Sequence, residues 1–255
     1  MKILKYIVPL LAVILYLCRT VPYTQRKQLI LFPIETERKL GNEAFTEIKK
    51  TEKFSSNPEY TKMVQRIGWK IVKAAGVRGK EKWEFKVIDK DDVINAFALP
   101  GGKVCVYTGL LKMCESEDEV AVVVGHEIGH VVARHGGERM SELLLAQLGG
   151  MALEVALKEK RGKTMELAQI AYGVGVQLGV LLPFSRKHEE EADYMGLIFM
   201  TKAGYNPERA LTFWQKMEKK SKGKIPEFLS THPSHGTRIK NIKKWLPEIK
   251  RKYGK

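Results

Sequence analysis

Residues 126 to 130 read His126-Glu127-Ile128-Gly129-His130, two imidazoles one helical turn apart with a carboxylate beside the first. On a helix, positions i and i+4 share a face, so both rings can converge on one ion while Glu127, rotated by about 100°, points toward its open side. This is the arrangement of a zinc hydrolase, in which a metal activates water and the neighbouring carboxylate handles the proton. The alternative for such a pentad is a pair of hydrogen-bonded core histidines. Its surroundings weigh against that. Ser116 followed by Glu119 is a capping box, and Glu117 and Asp118 add negative charge where a helix begins. Val120-Ala121-Val122-Val123-Val124 then makes the helix apolar nearly all round, with Gly136-Gly137 as its predicted stop. Two histidines and a glutamate are costly to bury there without partners, and a metal satisfies all three.

A catalytic zinc takes three protein ligands and keeps one position open, so a third donor is required. A metzincin would place glycine and histidine where this chain has Ala133 and Gly136. His135 falls one residue short of the needed face and reads as a helix-end residue near the C-terminal dipole. Cys18, Cys105 and Cys114 lie upstream, outside any ligand-presenting motif. The better source is Ser185-Arg186-Lys187-His188-Glu189-Glu190-Glu191-Ala192-Asp193, on a helix predicted to start at Pro183 to Ser185 and to run to Gly204. Glu189 and Asp193 share a face. One carboxylate can complete the metal shell, and the other can accept the spare N–H of a ligating imidazole. His188 is off that face, and Glu190 and Glu191 read as a solvated acidic run.

His-Glu-x-x-His followed by Arg186 to Asp193 as Arg-x-x-Glu-x-x-Ala-Asp resembles the glutamate-zincin metallopeptidases, the family of the type I CAAX prenyl endopeptidases, HtpX and BepA. Within it the likeness is greatest to the mitochondrial inner-membrane protease whose activity overlaps that of the m-AAA protease, and to its bacterial relatives. Asn95-Ala96-Phe97-Ala98-Leu99-Pro100-Gly101-Gly102, Val106 to Leu110, Ser230 to Arg238 and Val21 to Leu29 resemble further family segments. The resemblance implies a zincin-like domain with one Zn2+ per chain held by His126, His130 and Glu189. Glu127 would be the general base, Asp193 would sit behind a ligand, and His232 would lie close to the metal. It would there stabilise an oxyanion or fill the open position. On local grounds alone His232 reads as a turn residue.

Around these residues the patterning predicts a mainly α chain with a small β-sheet, an α+β arrangement. Helices are predicted over roughly 35 to 52 and from Pro58, capped by Asn57, to about Ala75. A short β region follows between Trp83 and Tyr107, with helices beyond, one opened by Pro207 and the last capped by Ser234. Asn95, Ala96, Phe97 and Ala98 belong to a candidate edge strand, from Val93 to Leu99, whose free peptide groups could pair with an extended substrate. Its apolar residues also suit core positions. The chain has 255 residues and is 44% hydrophobic, enough for one sizeable core. The predicted organisation is a signal peptide or membrane anchor over 1–18 and one metallopeptidase domain over 19–255.

Lys2 and Lys5 precede an uncharged run, Tyr6 to Cys18, of secretory length. Lipidation of Cys18 and an uncleaved anchor both stand open, since Tyr16 and Leu17 are bulky for processing. This predicts a bacterial cell envelope location with a periplasmic or extracytoplasmic catalytic domain. Two more apolar stretches, Leu143 to Leu153 and Leu167 to Phe184, read as packed core helices rather than a membrane hairpin. Formal charge is +15, from 44 Lys and Arg against 29 Asp and Glu. The lysine clusters lack interleaved aromatic residues, which argues against nucleic acid and for an anionic membrane surface or a solvated face. Cys105 reads as a buried thiol, with a bridge to Cys114 open. The function so read is a membrane-associated zinc endopeptidase cleaving unfolded or misassembled envelope proteins in quality control. The alternatives are a latent zinc-containing, chaperone-like binder of unfolded clients and a non-protease hydrolase such as a deformylase, whose cysteine motif Met113-Cys114-Glu115 does not match.

Overall fold

A computed structural model describes residues 18–157, 169–173, 182–221, 226–232 and 237–254. The N-terminal run to Leu17, most of Leu167 to Phe184 and the predicted cap Ser234 lie outside them. The described residues open on a hairpin of β1 (Cys18–Thr20) and β2 (Lys27–Leu29). Helices α1 (Ile34–Thr51) and α2 (Pro58–Ala74) follow, and Asn57 caps α2 by accepting from the Glu59 N–H at 2.9 Å. Strands β3 (Glu84–Ile88), β4 (Ala96–Leu99) and β5 (Lys103–Tyr107) form one sheet in the order β3-β5-β4. Helices α3 (Thr108–Met113), α4 (Glu117–Ala133), α5 (His135–Ala156), α6 (Leu182–Lys202), α7 (Arg209–Ser221), α8 (Glu227–Thr231) and α9 (Arg238–Tyr253) complete it. The protein is mostly helical with small sheets, as its patterning predicts.

Strand β5 is central and buried along its whole length, parallel to β3 and antiparallel to β4. One sheet face presents Phe85, Val87, Val104, Val106 and Ala96 to the main core with α2, α4, α6 and α7. The other presents Ile88, Cys105, Tyr107, Phe97 and Leu99 to Phe45 of α1. Strand β4 thus lies at the sheet edge, next to α4.

Helix α4 stops earlier than the glycine pair predicts. Arg134 takes the left-handed conformation, φ 60°, and α5 starts at the next residue. Its guanidinium is held by Glu37 and by the Phe32 carbonyl, contacts that offset the cost of a side chain there. Gly137 serves packing instead, since a Cβ there would lie 2.2 Å from Glu37 Oε1. The packed-core expectation for Leu143 to Leu153 also needs correction, because α5 runs past the core and exposes Leu143, Leu145, Leu148 and Met151. Among the described residues no helix is long and apolar enough to cross a membrane. All three cysteines are free.

Candidate metal centre

Ser116 accepts from the Glu119 N–H at 3.4 Å and starts α4 as the capping box predicts, but Glu119 turns to the Glu115 N–H and to Lys216 rather than closing the box. From that start the apolar flanks bury His126 and Glu127 to 1% exposure. Helix α6 crosses α4 where both backbones are bare: a Cβ on Gly129 would lie 3.0 Å from the Ala192 carbonyl oxygen, and one on Gly196 2.8 Å from the His126 nitrogen. This approach brings Glu189 and Asp193 onto the two histidines.

His126 Nε2 and His130 Nε2 are 3.0 Å apart, and the Glu189 oxygens lie 3.2 Å from the first and 3.4 Å from the second. On the far side of its ring, His126 Nδ1 meets Asp193 Oδ1 at 2.8 Å. His130 Nδ1 meets His135 Nδ1 at 2.8 Å. With Nδ1 donating outward in each ring, two Nε2 lone pairs and a carboxylate face one point, an arrangement that needs a cation. Tetrahedral zinc with bonds near 2.0 Å sets its ligand atoms roughly 3.3 Å apart, so the donor set fits that ion. The second indication is Glu127, one of whose buried oxygens has no hydrogen-bond partner and is 3.4 Å from His232 Nε2, too poorly aligned to bond. A buried acceptor left open beside the candidate ligands is where an attacking water would be held.

Electrostatics follow the same geometry. Burial works against charge on His126, but Asp193 and Glu189 more than offset it and push its pKa up to about 10, so metal binding displaces a proton there. Burial holds His130 well below the ordinary histidine value. Burial raises Glu127 above the ordinary carboxylate range, against the pull of His232, His126 and the Ala98 N–H. Glu189 is held well below that range: burial opposes, and His130, His126 and His232 outweigh it.

The structure brings together His126, Glu127, His130, Glu189, Asp193 and His232. His232 ends α8 with its Nδ1 3.2 Å from His126 Nε2 and 3.2 Å from either Glu189 oxygen, so it stands where a fourth ligand or a substrate would. In β4, Tyr107 donates its N–H to the Asn95 carbonyl, which turns Asn95 and Phe97 toward β5 and leaves the peptide groups of Ala96 and Ala98 at the outer edge. The Ala96 N–H is taken by Asn95 Oδ1 at 2.8 Å, and the Ala98 N–H faces Glu127. Asn95 thus braces the strand, and Phe97 packs under it against Tyr107.

Several contributors escaped sequence reasoning. Arg238, at the start of α9, donates from Nε to Asp193 at 2.6 Å and from Nη2 to Glu189 at 2.9 Å, with its guanidinium 3.8 Å above the Trp214 ring. It ends the segment Ser230 to Arg238 that resembles the family, the one signal that could have pointed to it, but that likeness gave it no role. Glu191 is not part of a solvated run: it is buried, bound to Arg26, Thr24 and His135, because α6 turns that side toward the N-terminal hairpin. His135 is not a helix end facing the dipole but opens α5, buried at 4% exposure. Glu190 is exposed, as read. Glu138, Glu142 and His188 also lie within reach of one another, but Arg26 already supplies a cation to Glu138 through two contacts of 2.7 Å.

The sequence profile of Peptidase family M48 matches residues 58–246. The chain is 36% identical over 237 residues to mitochondrial metalloendopeptidase OMA1 of Schizosaccharomyces pombe, covering 89% of this chain and 66% of that protein. It is 31% identical over 250 residues to the protein of the same name from Saccharomyces cerevisiae, covering 91% and 70%. It is 27% identical over 215 residues to the beta-barrel assembly-enhancing protease of Escherichia coli, covering 81% and 43%. It therefore spans about two thirds of the fungal relatives and less than half of the bacterial one. The bacterial cell envelope location predicted from the N-terminus is corrected by this comparison, since the two fungal relatives are named as mitochondrial and the likeness points there. A short apolar leader with basic flanks carries no address specific enough to separate the two.

Proposed function

Because this chain belongs to peptidase family M48 and is a metalloendopeptidase, we propose that it cleaves extended segments of unfolded or misassembled polypeptides at a membrane, as a zinc enzyme of protein quality control. One observation carries the reading: two imidazole nitrogens 3.0 Å apart share their opening with the Glu189 carboxylate, beside a buried, unpartnered oxygen of Glu127. Zinc, when bound by His126, His130 and Glu189, lowers the pKa of water to about 7 and polarises a carbonyl. Glu127 accepts the proton of the attacking water and returns it to the leaving amine, and its raised pKa suits both steps. His232 Nε2, 3.4 Å from Glu127, is placed to donate to the oxyanion once substrate enters. The outward carbonyls of Ala96 and Ala98, whose N–H groups are taken by Asn95 and Glu127, offer acceptors to the N–H groups of an extended peptide lying across Glu127, main-chain bonds that read no side chain. That favours unfolded clients over a fixed sequence. The apolar leader and the basic excess support a membrane-surface setting through an uncleaved anchor.

A second reading, a latent zinc protein that binds clients without turnover, is favoured by the position of His232 across the fourth direction of the centre. Digestion of unfolded casein separates them. Glu127→Gln keeps zinc and loses at least about 100-fold in rate, the worth of a general base. If wild type and variant are equally inert with zinc bound, the latent reading replaces the enzyme.

A further inference from the structure

His130 is a metal ligand only if its Nε2 carries a lone pair, so its Nδ1 must carry the proton and needs an acceptor. Asp193 serves His126 in that way. Among the described residues no carboxylate meets His130 Nδ1, which faces another imidazole nitrogen, His135 Nδ1, at 2.8 Å. A contact between two such nitrogens has a proton on one of them, and the far side of the His135 ring decides which. His135 Nε2 lies 3.0 Å from Glu191 Oε2, and that carboxylate is fixed by Arg26, from Nη2 at 2.7 Å and from Nε at 2.9 Å, and by the Thr24 hydroxyl. If Nε2 were the bare nitrogen, a lone pair would face a carboxylate. His135 Nε2 therefore donates to Glu191, His135 Nδ1 is the acceptor, and His130 is left with the tautomer that points a lone pair at the metal.

Thr24 and Arg26 belong to the connection between the two strands of the N-terminal hairpin, which also reaches α4 through Gln28 Nε2, donating to the Ala133 carbonyl at 2.9 Å. The ring of His135 is pinned as well, stacked on His188 with centroids 4.3 Å apart, while His188 Nε2 meets the Glu138 that Arg26 also holds. We propose that His135, Glu191 and Arg26 are positioning residues for the metal, a relay that sets the tautomer of His130 and makes the hairpin following residue 17 part of the zinc site. The inference rests on the zinc reading of the centre. Removing a residue of this kind costs about 10- to 100-fold in metal affinity.

The test uses the full chain in detergent micelles and measures zinc affinity by competition with a chromogenic chelator. Wild type binds one zinc; His135→Ala binds about 10- to 100-fold more weakly. His135→Asn places an amide oxygen where Nδ1 stood and recovers most of the loss, a rescue that mere packing would not give. Arg26→Gln, far from the ion, weakens zinc binding in the same direction as His135→Ala but by less. The cobalt-substituted protein reports the ligand field separately, and its visible bands shift in His135→Ala but not in His135→Asn. If wild type takes up no zinc, the reading of the whole centre falls. If wild type binds and both His135 variants match it, or Asn is as weak as Ala, the relay is refuted while the centre stands.

Discussion

Substituting Gly196→Ala should cost the protein its metal before it costs the fold. The added methyl would sit 2.8 Å from the His126 backbone nitrogen and 2.9 Å from the Gly125 carbonyl carbon. Comfortable contact begins near 3.5 Å, so α6 must retreat from α4 by about 0.7 Å, because backbone atoms of a helix cannot swing aside as a side chain can. Overpacking of this kind costs about 1–3 kcal/mol, part of it returned by the better helix propensity of alanine, about 1 kcal/mol. The metal centre has less latitude. Glu189 and Asp193 ride on α6, His126 and His130 on α4, and coordination distances hold within about 0.2 Å. A shift several times that tolerance should weaken zinc by at least about 10-fold, the loss seen when supporting contacts alone are removed. Chelator competition gives the affinity and thermal melting of the metal-free chain gives the stability. Gly68→Ala is the control: its methyl would lie 2.3 Å from the Phe85 ring, so it strains the core without touching the centre. If folded Gly196→Ala bound zinc as tightly as wild type, the helix spacing would not be what sets the site.

Arg238→Gln leaves the buried Glu189 and Asp193 carboxylates without their shared cation, and loss of a partner in such a network costs about 3–5 kcal/mol; added zinc should then raise the melting temperature more in the variant than in wild type. Burial opposes ionisation of Glu138 and Glu191, but His188, Arg26, His135 and Thr24 outweigh it and hold both at about 2, against an ordinary 4.5. Their stabilisation is therefore complete above pH 4.5 and is lost as the pH falls toward 2; acid unfolding followed by circular dichroism should move to higher pH in Arg26→Gln. Burial pushes the Cys105 and Cys114 thiols up to about 12, whereas Cys18 is exposed. Maleimide at neutral pH should label one cysteine in the native chain and three after denaturation, and labelling of Cys105 in the folded protein would contradict its burial.

What could be read from the sequence was whatever one element carries by itself. The spacing of His126 and His130, the cap at Ser116 and the shared face of Glu189 and Asp193 all follow from helix period, and the structure places these side chains together. The strand from Val93 to Leu99 was read as a candidate edge, and its orientation toward Glu127 follows once β4 lies next to α4. Contacts between elements distant in sequence were illegible except where the family resemblance supplied them, as for Glu189 and His232 beside the two histidines. Glu191 sits in an acidic run and is hydrophilic on every local count, yet it is buried because Arg26, 165 positions away, neutralises it. Arg134 takes a left-handed conformation ahead of two glycines because Glu37 and the Phe32 carbonyl hold its guanidinium.

The misreading of His135 and that of Glu191 have one origin, and it bears on how the centre is built. A helix-period argument assigns each residue to a face of its own helix, so a histidine one position off the metal face drops out of the site. The break at Arg134 resets that period. Once α5 starts at residue 135, the His135 ring turns back toward His130 and reaches Glu191 with its other nitrogen. A continuous helix through Gly136 would carry His135 about 100° from the metal face and leave the His130 proton without this acceptor. The left-handed residue is thus what allows two neighbouring helices to supply a proposed ligand, His130, and the proposed positioning residue behind it, His135. Its strain is met by Glu37 of α1, and the next acceptor in line by Arg26 of the hairpin, so the segments preceding the catalytic helix in sequence serve to shape the far end of its metal site.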